Sequence, residues 1–246
     1  MKRSKRWSIP VPENNSPEAL DIYARVEDML GLQEASEDLY AYYIDELQRY
    51  DFATLLDVGC GRGAFLGEIG RLFPHVESSG LDKSAQMVSM AKKSGLNVEC
   101  QDIAAHSGSY DVITAVFDVL NYIEAENLAI FFSHISRLLA KDGLFMCDIN
   151  TMYGFEEIAV GAFSAGDESR FVSIDSDFDG EIYTATFDLF ELKESGCWER
   201  STQRIYQYFH NRDHIVGLSK LELVRCESIA LYADMADKEF LVFKKG

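Results

Sequence analysis

The sequence predicts an α/β protein with a doubly wound, mainly parallel sheet and an antiparallel β insert after its fifth strand. Between residues 51 and 150, apolar strand-like segments alternate with helical patterns four times, which is typical of a parallel sheet with helices on both faces. The segment Tyr110 to Val116 is almost wholly apolar after Asp111, as expected for a strand buried on both faces. From Met152 onward, alternating segments follow one another, joined by the hairpin signals Asp179-Gly180 and Ser195-Gly196.

The first 50 residues predict an arm followed by two helices. Three of the four prolines lie within residues 1 to 17, which indicates an extended or mobile arm. From Glu18 onward, apolar residues recur at three- and four-residue spacing, with one break near Gly31. We expect residues 1–50 to precede a core of residues 51–150, an insert of residues 151–212, and a closing unit of residues 213–246 with a last helix and two strands.

The first predicted strand runs directly into a glycine-rich loop. Thr54 to Val58 is strand-like, and Gly59, Gly61 and Gly63 follow before a helical pattern begins at Ala64. Glycine admits positive φ angles and lets the backbone approach a ligand closely, because it has no Cβ. The loop is therefore predicted to hold a small molecule.

Two classes of cofactor use such a loop. The spacing of Gly59, Gly61 and Ala64 satisfies the dinucleotide pattern G-x-G-x-x-A, in which a helix N-terminus holds a pyrophosphate. Asp57, two residues before the first glycine, suits instead a ligand that carries an ammonium and a sulfonium. The pattern D-x-G-x-G-x-G resembles the first motif of the class I S-adenosylmethionine-dependent methyltransferases. An ordinary turn with a structural Asp57 is the remaining alternative.

The resemblance implies the Rossmann-like methyltransferase fold, in which the last two strands form an antiparallel hairpin that completes a seven-stranded sheet. Asp82, at the end of the second predicted strand, is placed to accept both ribose hydroxyls of an adenosine. The segment from Asp82 to Met87 resembles the second motif of the family, and Asp102-Ile103 resembles the third, which holds the adenine amino group and covers the ring.

The cofactor implied by this resemblance is S-adenosylmethionine, capped by the helices of residues 1–50. In such proteins a tyrosine from this region can close on the ligand, although core packing is the alternative role for Tyr23 and Met87. The residues expected to bind the cofactor are Tyr23, Asp57, Gly59, Gly61, Gly63, Asp82, Lys83, Met87, Asp102, Ile103 and Phe117.

The methyl-transfer centre of the family lies at the tip of the fourth strand. In this sequence, polar residues stand among apolar neighbours in the segment Phe117 to Tyr122. Capping of the following helix is an alternative role for Asp118. Methyl transfer needs a nucleophile held about 3 Å from the methyl carbon and the exclusion of water, and no strong acid or base is obligatory. The residues expected to border the methyl group are Asp118, Asn121, Tyr122, Asn150 and Tyr153.

Charge and apolar content limit the classes of partner that the protein is expected to bind. The 41 acidic and 23 basic residues give a formal charge of -18, which argues against nucleic acid because polyphosphate binding depends on Lys and Arg. The negative electrostatic potential of this charge favours a cationic or amine-bearing small molecule as ligand. The alternative is that the acidic residues only form a soluble surface. No run of about eighteen apolar residues occurs, so a cytoplasmic protein without membrane contact is expected.

Cysteine and histidine patterns predict no metal site. The five cysteines form no CxxC pair and are expected to be small buried core residues. His210 and His214 have the spacing of a two-histidine metal pair, but they lie at a strand end with no adjacent carboxylate triad. A surface turn is therefore expected there.

The β insert carries apolar side chains on both faces. Trp198, Tyr206 and Tyr208 share one parity along the last segment, and Ile205 and Phe209 share the other. Such a meander must pack on the core and on a second surface, which is either substrate or another subunit. A homodimer through the insert is one of these two arrangements.

Three classes of function follow from these patterns. The favoured one is an S-adenosylmethionine-dependent methyltransferase for a small-molecule acceptor. An amine is expected because the chain is acidic and no convincing histidine base lies near the strand tips. The layout is similar to that of the N-methyltransferases that act on glycine or amino sugars. The alternatives are an NAD-type oxidoreductase and a non-catalytic adenosylmethionine-binding or interaction protein.

Overall fold

The structure is a computed structural model that describes residues 15–246. The predicted N-terminal arm therefore lies mostly outside the described residues. The helices are α1 (Pro17–Val26), α2 (Gln33–Leu47), α3 (Ala64–Leu72), α4 (Ala85–Lys93), α5 (Ala125–Leu138) and α6 (Arg212–Ser219). The strands are β1 (Thr54–Val58), β2 (Glu77–Asp82), β3 (Val98–Cys100), β4 (Tyr110–Ala115), β5 (Leu139–Asn150), β6 (Gly161–Gly166), β7 (Arg170–Phe178), β8 (Ile182–Leu192), β9 (Trp198–Tyr208), β10 (Glu222–Ile229) and β11 (Lys238–Lys244).

The larger of two sheets has seven strands in the order β10-β11-β5-β4-β1-β2-β3. Strands β1 to β5 pair in parallel, whereas β11 is antiparallel to both β5 and β10. The predicted seven-stranded fold with its C-terminal hairpin is therefore confirmed. The strand order reverses between β1 and β4, so the loops at their carboxyl ends diverge and leave a crevice.

Helices cover both faces of this sheet. The cores on the two faces are built from alternate residues of the same strands, since Leu55 packs into one and Leu56 into the other. On the first face α2 and α3 contribute Tyr43 and Phe65, and on the second α5 contributes Phe132. Burial on both faces explains why the central strands are continuously apolar.

The insert forms a separate four-stranded antiparallel sheet in the order β6-β7-β8-β9. This confirms the predicted antiparallel insert, although β6 was not expected, because its sequence of glycine, alanine, serine and a single phenylalanine lacks β-branched residues. Helix α1 packs Ile22 and Val26 against one face of this sheet. The other face leaves Phe171 and Trp198 exposed, and the homodimer stays a prediction.

Three local expectations were wrong. The sequence pattern predicts the last helix from Ile215 to Leu223, but helix α6 ends at Ser219 because Lys220 adopts a left-handed backbone with φ 54°. His210 is buried, with Nε2 2.8 Å from the carbonyl oxygen of Ile123, so it is not part of a surface turn. Of the five cysteines, Cys60 and Cys147 are buried, whereas three others are exposed because they lie on edge strands or in a hairpin turn: Cys100, Cys197 and Cys226.

Within residues 15–246, no helix is long and apolar enough to cross a membrane. The division of the chain at residues 50, 150 and 212 stays a prediction.

Candidate functional site

A cavity of about 530 Å³ opens at the carboxyl ends of β1, β2 and β4, where the strand order reverses. The glycine loop forms its floor, and α1 with the following 3₁₀ turn Glu27–Met29 covers it. Twelve of the sequence-predicted site residues line it: Tyr23, Asp57, Gly59, Gly61, Asp82, Lys83, Met87, Asp102, Ile103, Phe117, Asp118 and Tyr122. The other four, Gly63, Asn121, Asn150 and Tyr153, are not in the lining.

The three loop glycines differ in what surrounds them. A Cβ on Gly61, which has φ +54°, would meet no atom within 4 Å and would project into open cavity. A Cβ on Gly59 would lie 2.6 Å from Cγ2 of Val119, and one on Gly63 would lie 2.3 Å from Cδ1 of Leu96. Gly61 is therefore the glycine against which a ligand can rest, while the other two permit close packing.

Asp82 is fixed at the tip of β2 by backbone hydrogen bonds. Its carboxylate accepts from the N–H groups of Gly61 and Ser84, both at 2.8 Å. Burial raises the pKa of Asp82, and the backbone donors oppose that rise. The strand end and the glycine loop are thus joined through a single carboxylate that borders the cavity.

Asp102 lies beside Asp82 at the end of β3 and is the more exposed of the two. Its Oδ2 is 2.6 Å from Nζ of Lys83, and its Oδ1 accepts from the N–H of Ala104 at 2.8 Å. Burial acts to raise the pKa of Asp102, but these two partners lower it overall. Asp102 is therefore ionised at neutral pH.

Asp57 is almost fully buried beneath the glycine loop. Its Oδ1 accepts a hydrogen bond from Oγ1 of Thr114 at 2.7 Å. Burial raises the pKa of Asp57 to about 7, because no cation among the described residues compensates the charge. A cationic ligand group placed near this carboxylate would restore its ionised form.

Because this pKa is raised, the ligand-free protein takes up a proton at Asp57 as the pH falls through 7, whereas the unfolded chain does so near 3.8. This group therefore favours folding below about pH 4, and that contribution is lost as the pH rises through about 7. Affinity for a cationic ligand has the opposite dependence. We expect the affinity for S-adenosylhomocysteine at pH 6 to be about ten-fold below its alkaline plateau.

Calorimetric titrations between pH 5.5 and 8.0 would measure this dependence. The slope of the logarithm of the affinity against pH should flatten in Asp57→Asn, which keeps an oxygen for the hydroxyl of Thr114. An unchanged slope in that variant would assign the dependence to another group, such as Asp82.

The N-terminal cover is attached to the core and to the insert. Asp21 on α1 hydrogen-bonds to the hydroxyl of Ser84, and Oε2 of Glu27 lies 2.7 Å from Nε of Arg62 in the glycine loop. On the other side, the ring of Tyr23 makes an edge contact with Phe187 of β8, with centroids 6.5 Å apart. Tyr23 thus joins the cavity to the core of the insert.

The tip of β4 has an unusual backbone. Phe117 and Asp118 both have left-handed conformations, with φ 64° and 60°. The carboxylate of Asp148 accepts from both of their N–H groups, at 2.7 and 3.1 Å. The carboxylate of Asp118 forms an ion pair with Lys238, which is itself buried.

Sequence reasoning missed Asp148 and Lys238. The only available signal was a charged residue within the apolar run Phe145 to Ile149. Nothing in the sequence pairs that residue with a lysine 90 positions away. Burial raises the pKa of Asp148 to about 7, and the hydrogen bond from Tyr43 opposes that rise.

The side chains of Asn121 and Asn150 hydrogen-bond to other protein groups and do not line the cavity. The Nδ2 of Asn121 donates to the carbonyl of Tyr208 at 2.8 Å, and its Oδ1 accepts from the N–H of Asn150 at 3.0 Å. The side chain of Asn150 accepts from Nζ of Lys238 at 2.9 Å. Among the five residues expected to border the methyl group, the cavity thus brings together Asp118 and Tyr122.

Charge in the cavity favours a cationic ligand. Five carboxylates line it, from Glu27, Asp57, Asp82, Asp102 and Asp118, against the two cationic residues Arg62 and Lys83. Both of these cations are paired with carboxylates. A pyrophosphate would meet repulsion here, whereas the ammonium and sulfonium of S-adenosylmethionine fit this charge, and the open space at Gly61 fits a bound ligand.

Comparison with known proteins finds that this chain is similar to methyltransferases. Residues 56–145 match a family model described as a methyltransferase domain. A Geobacillus protein with a provisional methyltransferase name is 28% identical over 149 residues, which are 56% of this chain and 60% of that protein. A malonyl-acyl-carrier-protein O-methyltransferase of Bacillus cereus is 22% identical over 238 residues, covering 90% of this chain and 84% of that protein. The structure of a sugar N-methyltransferase from Streptoalloteichus gives a TM-score of 0.70 at 16% identity, covering 97% of each chain.

The chain spans 60% of the length of the Geobacillus protein and 57% of the length of a Bacillus subtilis protein with a similar provisional name. The likeness to the solved structure, at 16% identity, shows the fold alone. Residues 56–145, which are 90 of the 246 residues, are similar to methyltransferase domains. The predicted Rossmann-like fold is thereby confirmed, and the match of residues 56–145 to a methyltransferase domain agrees with the predicted superfamily. Binding of S-adenosylmethionine by this chain stays a prediction.

Proposed function

We propose that this protein transfers the methyl group of S-adenosylmethionine to the nitrogen of a small-molecule amine. The observation that carries the proposal is the acidic, aromatic-lined cavity beyond the tip of β4. Asp118, Tyr23 and Tyr122 line this part, together with Ile205 of the insert. The name of the Streptoalloteichus protein, a sugar N-methyltransferase with the same fold, supports the choice of nitrogen.

When bound, the cofactor supplies an electrophilic methyl group on a sulfonium. The chain's own residues would hold it: Gly61 leaves room for it against the loop backbone, and Asp82 would accept hydrogen bonds from the ribose hydroxyls. Asp102 would accept a hydrogen bond from the adenine amino group, and Asp57 would compensate the charge of the ammonium; both residues line the cavity. Helix α1, held by Asp21 and Glu27, covers the cavity and excludes water.

The acceptor needs little more than orientation. A neutral amine would attack the methyl carbon with its lone pair while the bond from that carbon to the sulfonium sulfur breaks, which gives S-adenosylhomocysteine and a methylated ammonium that loses a proton to solvent. A carboxylate such as Asp118 would orient the amine by accepting a hydrogen bond from one of its N–H groups. Burial raises the pKa of Tyr122 to about 12, so its hydroxyl stays protonated at neutral pH and does not serve as a base. Tyr122 therefore offers no base to an alcohol, and an oxygen acceptor would need another group, such as His134, which also lines the cavity.

Pairs of acceptors that differ only in nitrogen and oxygen test this proposal. Glucosamine and glucose, or glycine and glycolate, are incubated with S-adenosylmethionine that carries a tritiated methyl group. We expect label in the amine of a pair and none in the alcohol. Label in the alcohols alone would contradict nitrogen transfer and would favour the O-methyltransferase chemistry that the Bacillus cereus relative is named for.

The other two functional classes give different outcomes in the same experiments. A non-catalytic adenosylmethionine-binding protein would bind S-adenosylhomocysteine but label no acceptor of either kind. An NAD-type oxidoreductase would need its pyrophosphate beside Asp57 and Asp82, and a binding titration with NAD+ would detect it.

A further inference from the structure

The tip of β4 concentrates backbone strain next to the cavity. Among residues 15–246, four residues other than glycine have positive φ, and two of them, Phe117 and Asp118, are adjacent. A left-handed backbone is unfavourable for a residue with a Cβ, most of all for a bulky one such as phenylalanine. Such conformations persist only where surrounding contacts hold them, and they cluster at functional sites.

Two buried side chains hold this turn from the side away from the cavity. Asp148 on β5 accepts the two backbone N–H groups of the turn, as described above, and is fully buried. Lys238 on β11 pairs with the carboxylate of Asp118, and its Nζ lies 5.6 Å from the ring centroid of Phe117. Asp148 thus fixes the backbone of the turn, and Lys238 fixes both side chains.

The ammonium of Lys238 is enclosed by protein groups. Its Nζ lies 3.2 Å from Oδ2 of Asp148 and 2.9 Å from Oδ1 of Asn150, and the side chain is 2% exposed. It does not line the cavity, whereas Asp118 and Phe117 do. Lys238 would therefore act on a ligand in the cavity indirectly, through Phe117 and Asp118.

We propose that Lys238 is a positioning residue for methyl transfer, which holds the left-handed turn and aims the carboxylate of Asp118 at the acceptor. The inference rests on the proposed function, because it takes Asp118 to be the group that meets the acceptor. It goes further by assigning a role to a strand outside the cofactor-binding half of the sheet.

Burial lowers the pKa of Lys238 to about 7 and raises that of Asp148 to about 7, each group losing water when it is enclosed. An isolated charge would be unfavourable at this depth, so the ammonium stays only with its carboxylate partners. The position of Asp118 is thus tied to the presence of Lys238.

A double-mutant cycle tests the proposal, with glucosamine as acceptor and S-adenosylhomocysteine affinity as a second readout. Lys238→Met and Asp118→Asn should each lower kcat about 100-fold, and the double variant should lose no more than either one, because the lysine acts through the aspartate. Affinity for S-adenosylhomocysteine should stay within about three-fold, because Asp148 still holds the backbone of the turn at Phe117 in these variants and Asp57, Gly61, Asp82 and Asp102 lie outside it. Lys244→Met, on the same strand and paired with Asp142 at the surface, is the matched control and should retain kcat.

Losses that multiply in the double variant, or a folded Lys238→Met with unchanged kcat, would overturn the inference. If Lys238→Met does not fold, Asp118→Asn alone still decides, because it keeps an oxygen for the lysine. Wild-type kcat in that variant would leave Lys238 nothing to act through. Failure of the wild-type protein to label any amine contradicts the proposed function instead. In that case a crystal structure of Lys238→Met still tests the positioning role, because the carboxylate of Asp118 should change direction while Asp148 keeps the backbone of the turn in place.

Discussion

Gly61→Val is expected to lower the affinity for S-adenosylhomocysteine by at least about 100-fold, or roughly 2.8 kcal/mol. A Cβ at this position meets no protein atom within 4 Å and points into the cavity, so a branched side chain would occupy the space where the ligand should lie. Calorimetric titration of the variant measures the loss. Unchanged affinity would mean that no ligand rests against this part of the loop.

Valine also strains a left-handed backbone, and the control must carry that strain. Gly95, in the loop between α4 and β3, has φ +80°, and a Cβ added there would likewise meet no atom within 4 Å. It does not line the cavity. Gly95→Val should therefore show a comparable fall in melting temperature and wild-type affinity.

Asp82→Ala is expected to weaken S-adenosylhomocysteine binding by about ten- to 100-fold. Each charge-assisted hydrogen bond to a ribose hydroxyl contributes about 1.5 to 3 kcal/mol, and about 1.4 kcal/mol corresponds to one decade in affinity. The substitution also frees the N–H groups of Gly61 and Ser84, so part of the loss comes from a looser loop. Affinity is again measured by calorimetry, beside a thermal melt.

Asp111→Ala separates these two contributions. Asp111 also accepts two backbone N–H bonds, from Ala53 at 2.9 Å and Thr54 at 3.0 Å, but at the opposite end of the sheet. This variant should lose stability and retain affinity. If Asp82→Ala binds normally while Asp102→Ala does not, the ribose contact has been assigned to the wrong strand.

Much of the fold was predictable because local patterns carry it. Alternating strand and helix signals predicted the parallel sheet, and the Asp57-to-Gly63 motif predicted the position of the loop. Asp82, Asp102 and Asp118 each follow a predicted strand, and the cavity brings these three residues together, whereas Asn150, also at a strand end, is not in its lining. Parallel strands place their carboxyl ends on one edge, so sequence position alone fixes this proximity.

The features of the site that could not be predicted depend on contacts between segments that are distant in sequence. Lys238 contacts Asp118 and Asp148 because β11 lies beside β5 in the sheet. No local sequence pattern predicts these contacts. Asn121 was expected at the methyl group because it is polar and near a strand tip, yet both ends of its amide bind backbone groups of β5 and β9. The part of each predicted residue in binding or catalysis stays a prediction until it is measured.

Parallel calorimetric titrations of the wild-type protein with S-adenosylhomocysteine and NAD+ test the central claim most directly. The acidic cavity at the glycine loop predicts saturable binding of one S-adenosylhomocysteine per chain and no heat from NAD+ at the same concentrations. Saturable binding of NAD+, with none of S-adenosylhomocysteine, would contradict it.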